Sequence, residues 1–492
     1  MPDSDKSPDK KPLASPTTRE SMTGISRRQF LVGGSALGLA AGLGPWVITA
    51  PRARAAGKRL KLLQWSHFVP SYDKWFDNFA KSWGEENDVE VSVDHISITE
   101  LTTTLSSEIS AGSGHDLIEL GPEAAQFEPA LIALDDLNEE IRREFGQPFS
   151  VAKRVSYSPA TKHYYAFCHG WTADPGDYRK SLWQTAGLAG GPRSWQDLAR
   201  AGGEIKRKQG VQVGIGMSQD IDSNMAARAV LWSFDTAVQD QSGAVILDQG
   251  VYYKRAVEAV KYLKHLYEQA LTPEIFAWNA ASNNQALIAG RASFILNSIS
   301  AYRSAQEVRP DIAKDIFFTP ALQGPQGTRW ANVHVLYNYV LPKFAQANAP
   351  TAKAFIKHLV ANYDMAIYQS KLYNSPSYFD TPIPQGDRGY PPVAGAKTLQ
   401  ELTDAWFDND PFKLPGEASG KLRVLKDAVA WTTNLGHPGY ANPAIGEVFN
   451  TFLIPNMVAN IVRGQDRPEA AIKRAAAQAR DIFAKWRKRG LV

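Results

Sequence analysis

The chain has 492 residues, of which 44% are hydrophobic, and a formal net charge of +4 at neutral pH. Residues 1–55 contain eight basic and four acidic side chains, so this segment accounts for the whole excess and the other 437 residues are formally neutral. The charge balance therefore gives no support to nucleic-acid or membrane-surface binding, and the single cysteine, Cys168, excludes a disulfide within the chain.

The N-terminal segment has the pattern of an export signal. Arg27 and Arg28 precede an apolar, glycine-rich stretch from Phe30 to Ala50, and Ala53-Arg54-Ala55 follows as a site for signal peptidase. The paired arginines indicate the twin-arginine (Tat) route. A retained membrane anchor is the alternative, which the glycines disfavour because they interrupt the apolar run. We expect residues 1–55 to be a disordered N-terminus and Tat signal peptide, and the mature protein to be periplasmic and not lipid-anchored.

Strands and helices alternate in the first part of the chain after this segment. The apolar patterns predict strands at Leu60–Trp65, Val89–Val93 and Asp116–Leu120, and helices at Tyr72–Glu86, Ile98–Ala111 and Ala124–Leu131. This alternation favours an α/β fold with parallel strand pairing.

A second α/β region follows, and its length suits a second domain. The predicted helices are Trp195–Lys208, Ser223–Phe234, Tyr252–Ala270 and Ala349–Val360, and the predicted strands are Val211–Gly216, Ala292–Leu296, Phe317–Pro320 and Val333–Leu341. The tail from Glu447 to Trp486 is predicted to be helical, with a break near Arg463–Arg467.

Five short motifs stand in a recognisable order along the chain. They are Ser110–Leu117, with His115 where proline is usual; Lys162–Phe167, followed by Cys168 where proline is usual; Tyr178–Leu188; Pro192–Leu198; and Ala289–Phe294. In this order and spacing the chain resembles the extracellular solute-binding proteins of family 1, the periplasmic component of ABC importers, over nearly all of residues 58–460. Sugar-binding proteins are the best-known members of that family.

The resemblance implies an α/β, two-lobe periplasmic-binding-protein fold of type II-like topology, with a ligand cleft between lobes that are joined by hinge strands. We expect residues 58–168 plus 316–365 in lobe one and residues 169–315 plus 366–492 in lobe two. The ligand is expected between the lobes, at the C-terminal ends of the strands.

A cleft for polar, uncharged solutes needs aromatic faces and paired hydrogen-bond donors and acceptors. The strand ends and crossovers supply eleven candidate ligand-binding residues: Trp65, His67, Glu119, Glu123, Trp171, Asp220, Trp278, Asn297, Trp330, Asn332 and Tyr373. Structural roles are the alternatives: core packing for Trp65, local hydrogen bonding for His67, and an acid at a helix N-terminus for Glu123. Glu119 has an ion pair as its alternative, and the asparagines have turn hydrogen bonds.

These observations predict a periplasmic binding protein that captures a sugar, oligosaccharide or polyol by hinge closure and delivers it to ABC permease subunits. We expect a monomer without catalytic residues, cofactor, metal or nucleic-acid partner, which meets the Tat translocase during export. One alternative is an exported carbohydrate-active hydrolase with two carboxylates at strand ends. Another is a receptor for polyamines or organic anions. The sequence contains no metalloprotease, serine-hydrolase, P-loop or C-x-x-C motif.

Overall fold

The computed structural model describes residues 58–492, so the predicted leader lies outside the described residues. The strands of this part are β1 Lys58–Trp65, β2 Val89–Ile96, β3 Leu117–Leu120, β4 Tyr157–Ser158, β5 His163–Tyr164, β6 Phe167–Thr172, β7 Gly176–Arg179, β8 Gln212–Gly214, β9 Ala292–Leu296, β10 Ile316–Thr319, β11 Ala331–Asn332, β12 Val335–Val340, β13 Ser375–Pro376 and β14 Thr432–Thr433. Most of them join one of two larger sheets.

Helices separate most of these strands and cover the sheets. They are α1 Pro70–Asn87, α2 Leu101–Ala111, α3 Asp135–Phe145, α4 Ser150–Arg154, α5 Lys180–Thr185, α6 Trp195–Gln209, α7 Ile221–Ser233, α8 Gly250–Ala270, α9 Ser282–Ile288, α10 Ser300–Val308, α11 Pro310–Asp315, α12 Ala349–Ala361, α13 Tyr363–Gln369, α14 Leu399–Asp408, α15 Ala428–Trp431, α16 Pro443–Asn450, α17 Leu453–Val462 and α18 Pro468–Arg487. Four 3-10 helices span Pro122–Ala130, Pro273–Ala277, Lys343–Asn348 and Arg423–Asp427.

The first sheet has six strands in the order β13-β6-β12-β3-β1-β2. Strands β2 and β3 run parallel to β1, and Trp65 at the end of β1 pairs with Ile96 at the end of β2. Strand β12 is antiparallel to both β3 and β6. Because β1, β2 and β3 are parallel, their C-terminal ends meet at one edge of the sheet, as the alternating pattern predicted.

The second sheet has four strands in the order β10-β7-β9-β8. Strand β8 is parallel to β9, whereas β7 is antiparallel to β9 and β10. The chain passes from the first sheet to the second between β6 and β7, and it returns between β10 and β12. The segment Ile316–Thr319, expected in lobe one, pairs within this second sheet, because β10 directly follows α11 and aligns with β7.

Helix α1 shows how the apolar pattern produces the core. Tyr72, Phe76, Ala80 and Trp83 recur at helical spacing and are buried against the first sheet and α12. Phe355 of α12 meets the rings of Phe76 and Trp83 edge-on, with centroids 5.9 and 5.2 Å apart. These aromatic residues are therefore core residues, as their periodicity predicts.

The C-terminal tail forms three helices, α16, α17 and α18, which pack on one another and on α8. Within residues 58–492, no single helix combines the length and the hydropathy that a membrane span requires; α16 and α17 meet the test only together, across a bend of 41°. Both helices are largely buried in the second core.

Cys168 lies on β6 in the middle of the first sheet. Its thiol is 3% exposed, and its Sγ is 3.4 Å from the carbonyl oxygen of Gly170. Burial raises the pKa of the thiol to about 12. Because the thiolate is the reactive form of cysteine, this side chain is chemically inert in the folded protein.

Candidate functional site

A cavity of about 230 Å³ lies where the strand ends of the six-stranded sheet face α7 and the junction of α16 and α17. This is the position at which open α/β sheets bind ligands, beyond the carboxyl ends of parallel strands. The cavity is lined by Ile98, Thr99, Thr102, Thr103, Gly121, Pro122, Glu123, Ile221, Met225, His334, Val335, Leu336, Phe449, Asn450 and Phe452. Its wall therefore combines hydroxyl, carboxyl, amide and imidazole groups with apolar side chains.

Larger grooves occur elsewhere on the surface. One of about 670 Å³ is bounded by residues 382–402 alone, and one of about 630 Å³ lies between α16, α17 and α18. Neither groove contains a residue from the ends of β1, β2 or β3. The smaller cavity is the stronger candidate, because residues that follow both β2 and β3 line it.

One wall of the cavity is built around Glu123. This residue opens the 3-10 helix that follows β3, and Thr102 faces it from the first turn of α2. The Thr102 hydroxyl donates to Glu123 Oε1 at 3.2 Å. Glu123 is 8% exposed, and its burial raises the pKa of the carboxyl above its usual range. The wall thus holds a carboxyl group with few protein partners.

The facing wall begins at the N-terminus of α7. Asp220 caps this helix by accepting from the backbone N–H groups of Asp222, at 2.8 Å, and Ser223, at 3.4 Å. Asp222 in turn accepts from Asn283 Nδ2 at 2.9 Å. Burial raises the pKa of Asp222 to about 8, and the charge of Asp220 adds to this effect. A second carboxyl group that resists ionisation therefore stands beside the cavity.

His334 lies at the base of the cavity, just before β12. Its Nδ1 is 3.1 Å from Asp174 Oδ1, in the segment that joins β6 to β7. Burial alone would lower the pKa of His334, but the hydrogen bond and the charge of Asp174 outweigh it and raise the pKa. With Nδ1 bonded to Asp174, Nε2 is left for a group inside the cavity.

Three of the predicted residues, Trp65, His67 and Tyr373, form a buried aromatic cluster. The His67 ring lies 4.7 Å from the Trp65 ring and 4.9 Å from the Tyr373 ring. The Val69 N–H donates to His67 Nδ1 at 2.9 Å, so Nε2 carries the proton and donates to Asn374 Oδ1 at 2.9 Å. Burial lowers the pKa of His67 to about 4. Both ring nitrogens of His67 are thus satisfied within the protein, whereas the buried Tyr373 hydroxyl has no hydrogen-bond partner among the described residues.

Glu119 is buried inside the first sheet and pairs with His169. Its Oε1 is 3.0 Å from His169 Nε2, and His169 Nδ1 is 3.3 Å from the hydroxyl of Tyr363. Burial raises the pKa of Glu119 to about 8 and lowers that of His169 to about 3. These shifts favour a protonated Glu119, whose O–H group donates a hydrogen bond to the neutral imidazole of His169.

The other predicted tryptophans are packed outside the cavity lining. Trp171 stacks on Phe149 with ring centroids 4.5 Å apart. Trp330 lies against His437 at 4.9 Å. Trp278 is partly buried between the two hydrophobic cores. These three tryptophans were predicted to bind the ligand because aromatic rings stack on sugars. In the structure, each of them packs against other side chains.

The two predicted asparagines make local hydrogen bonds. Asn297 Nδ2 donates to Ser300 Oγ at 3.0 Å, and Asn332 Nδ2 donates to the carbonyl of Val333 at 3.0 Å. Of the eleven predicted residues, Glu123 lines the cavity and Asp220 precedes the lining residue Ile221.

Several lining residues were not predicted from the sequence. His334 lies in the short link between β11 and β12, and Thr102 and Thr103 open a helix. Phe449 and Phe452 come from the junction of α16 and α17, far from the strand ends in sequence. A search of helix N-termini would have found the threonines, whereas no local pattern marks the phenylalanines.

Residues 58–492 contain no group of three or more histidine, cysteine, aspartate or glutamate side chains placed to hold a metal ion.

The amino-acid sequence is similar to that of known solute-binding proteins. The family model described as bacterial extracellular solute-binding protein matches residues 69–366. A protein named as a binding protein in Brucella abortus strain 2308 is 24% identical over 299 residues, which cover 59% of this chain and 69% of that protein.

Solved structures share the fold. Maltose-bound MalE3 of T. maritima has a TM-score of 0.68 at 18% identity, covering 86% of this chain and 99% of that one. A ribitol complex of an ABC transporter solute-binding protein from Agrobacterium radiobacter K84 has a TM-score of 0.66 at 16% identity, covering 87% and 99%. The predicted two-lobe periplasmic-binding-protein fold is thereby confirmed.

Proposed function

Because the chain belongs to the bacterial extracellular solute-binding proteins, we propose that it captures a small hydroxylated solute for an ABC importer. The solute class is a sugar, oligosaccharide or polyol, and the partner that receives it is the permease. The protein acts by binding and release, without covalent chemistry. The observation that carries this proposal is the cavity between the strand ends and α7, whose wall offers hydroxyl, carboxyl and imidazole groups.

We place the two lobes around the two larger sheets, with the crossings at residues 173–175 and 320–334. This changes the expected lobe ranges at Ile316–Thr319, which pair with β7 in the second sheet, and at Ser375–Pro376, expected in lobe two, which pair with β6 in the first sheet. Two contacts join the crossings: the His334–Asp174 hydrogen bond, and the His334 N–H, which donates to the carbonyl of Thr172 at 2.8 Å. A hinge at these crossings would bring Glu123 and the N-terminus of α7 together around a solute.

We propose that the solute-contacting set consists of Glu123, Thr102 and His334, with Asn450 and Phe449 on the facing side. Carboxylate, hydroxyl and amide groups pair with solute hydroxyls, and a phenylalanine ring can cover the apolar face of a sugar. The predicted Trp65, His67 and Tyr373 then act behind this wall by packing. Trp171, Trp278, Trp330, Asn297 and Asn332 have the same supporting role.

The compartment follows from the leader and the family. We propose that the Tat translocase exports the chain, that residues 1–55 are removed, and that the mature monomer diffuses freely in the periplasm. The support is the sequence of Arg27-Arg28, the apolar stretch and Ala53-Arg54-Ala55.

A thermal-unfolding screen tests the function. Sugars, oligosaccharides and polyols are added singly to the mature protein, and a true ligand at 100 times its Kd should stabilise the folded state by roughly 2.7 kcal/mol. Thr99 is exposed at the cavity rim, so Thr99→Trp should fill the entrance and abolish the effect. Ser107→Trp on the exposed face of α2 is the matched control and should bind normally.

The same samples separate binding from hydrolysis. Chromatography of the bound solute should recover it unchanged. Release of a cleaved product, with a bell-shaped pH profile set by two carboxyl groups, would instead favour the hydrolase alternative. Stabilisation that persists in Thr99→Trp would move the site away from this cavity.

A further inference from the structure

The charged groups around the cavity are mostly acidic. Glu123 lines it, Asp222 stands beside the lining residue Ile221, and Asp174 holds His334 at its base. No lysine or arginine of residues 58–492 lines the cavity. In the same part of the chain, the only ion pair that these three carboxyl groups form is the one between Asp174 and His334.

A further carboxyl group increases this imbalance. Asp177 on β7 is completely buried, and neither of its carboxylate oxygens has a hydrogen-bond partner among the described residues. Burial and the charge of Asp174 raise the pKa of Asp177. The chain from Asp174 to Asp177 thus holds two buried acidic residues, of which Asp174 pairs with His334 and Asp177 has no cationic partner among the described residues.

A carboxyl group that has left water needs either a proton or a cation. Burial favours the protonated form of Glu123, because it raises the pKa of this carboxyl group. A ligand with an ammonium group would stabilise the ionised carboxylate of Glu123, since one such group supplies both a positive charge and three hydrogen-bond donors.

Resting on the proposed function, we propose that the solute is a small hydroxylated amine, whose ammonium group pairs with the Glu123 carboxyl on the cavity wall. The threonine hydroxyls of α2, Asn450 and His334 Nε2 remain for its hydroxyl groups.

The cavity also limits the size of the solute. Its volume of about 230 Å³ is below the roughly 300–1,000 Å³ of pockets for drug-sized ligands. A molecule the size of a monosaccharide or a short polyol fits this space. Met225, Phe449 and Phe452 provide the apolar contacts for its carbon skeleton.

Matched pairs of solutes test the proposal. Titration calorimetry compares glucosamine with glucose, galactosamine with galactose, and 1-amino-1-deoxysorbitol with sorbitol, each with the full-length mature protein. At least one amine should bind roughly ten-fold or more tightly than its neutral partner, because a hydrogen bond to a charged group is stronger than one between neutral groups. Glu123→Gln should reduce that preference to a few-fold.

Glu128→Gln is the matched control. Glu128 lies on the same 3-10 helix, is equally buried and accepts from Thr161, but it does not line the cavity. This variant should keep the full preference for the amine. A preference that survives in Glu123→Gln would overturn the assignment to this carboxyl group.

The remaining outcomes separate this inference from the proposed function. Equal affinity for the amines and the neutral partners would overturn the inference and leave the solute-binding function in place. Failure of all six solutes to bind, together with a negative result in the thermal screen, would overturn both.

Discussion

The buried pair of Glu119 and His169 illustrates how burial decides protonation at single residues. Both side chains lie inside the first sheet, at 2% and 1% exposure, and share one hydrogen bond of 3.0 Å. An ion pair there would require two desolvated charges, whereas one proton on Glu119 leaves both groups neutral. Tyr363 contacts the other ring nitrogen, so the network is satisfied without water.

Glu119→Gln is expected to change how stability depends on pH. The pKa of Glu119 rises from the ordinary 4.5 to about 8 on folding, so the folded state retains a proton that the unfolded chain releases. This contribution is complete below pH 4.5 and is lost as the pH rises to 8, at about 1.4 kcal/mol per unit. The variant cannot ionise, so urea unfolding should show a steeper loss between pH 5 and pH 8 in the unmodified protein.

His169 has the opposite effect and does not obscure this comparison. Burial lowers its pKa from 6.5 to about 3, so its contribution is present above pH 6.5 and is lost as the pH falls. The group remains in both proteins. Parallel pH profiles for the two proteins would contradict a protonated Glu119.

At the scale of elements, α7 connects helix capping with the cavity. The helix carries Ile221 and Met225 on the cavity wall, and Asp220 fixes its first turn. Capping by a side-chain oxygen satisfies backbone donors that have no partner within the helix. The orientation of this wall therefore depends on one carboxyl group.

Asp220→Ala should lower the free energy of unfolding by roughly 1 kcal/mol, because it removes the cap of α7. Asp220→Asn is the matched comparison and should lose much less, since asparagine caps helices as well as aspartate does. Urea titration of both variants at neutral pH measures the difference. Equal losses would indicate that the contacts of the second carboxylate oxygen, which accepts from the hydroxyls of Ser218 and Ser223, and not the cap, stabilise this helix.

The sequence predicted most strands and helices of the two sheets. It was less accurate for the type and the first residue of two helices beside the cavity. The helix predicted at Ala124–Leu131 is a 3-10 helix with Pro129 inside it, and proline removes a donor that an α-helix needs. The helix predicted from Ile98 begins at Leu101, because Ile98 and Thr99 turn into the cavity wall. The periodicity of apolar residues indicates which side chains are buried, but it does not distinguish an α-helix from a 3-10 helix or a loop.

The candidate site was harder to predict than the fold. Glu123 was found because it follows a strand, which is where sheets of this kind bind ligands. Trp65 and Trp171 were chosen for their aromatic chemistry, but burying their large apolar area places them in the core. Phe449 and Phe452 reach the cavity only through the tertiary contact of α16 with the 3-10 helix Pro122–Ala130, which no local sequence signal contains.

At the scale of the whole molecule, the order of short motifs was enough to identify the family. Each motif alone is weak, but their spacing reflects strands and helices that alternate in a fixed topology. The two sheets and the two crossings between them follow that topology. Solute contacts on both walls would favour the closed arrangement of the lobes.

Solute binding should therefore make the molecule more compact. Small-angle X-ray scattering of the mature protein should show a smaller radius of gyration when a stabilising solute from the thermal screen is added, because closure draws the lobes together. Thr99→Trp should show no such change, and Ser107→Trp should respond normally. An unchanged radius with saturating solute would show that binding occurs without hinge closure.

The inert Cys168 makes the folded protein a ready scaffold for site-specific labelling. A maleimide dye reacts with thiolates, and the one native thiol is buried with its pKa raised to about 12. Thr103→Cys at the exposed rim of the cavity would therefore be the single labelled position, with no native residue to remove. A dye at that point would turn capture of the solute into an optical signal, so this chain can serve as a reagentless fluorescent sensor.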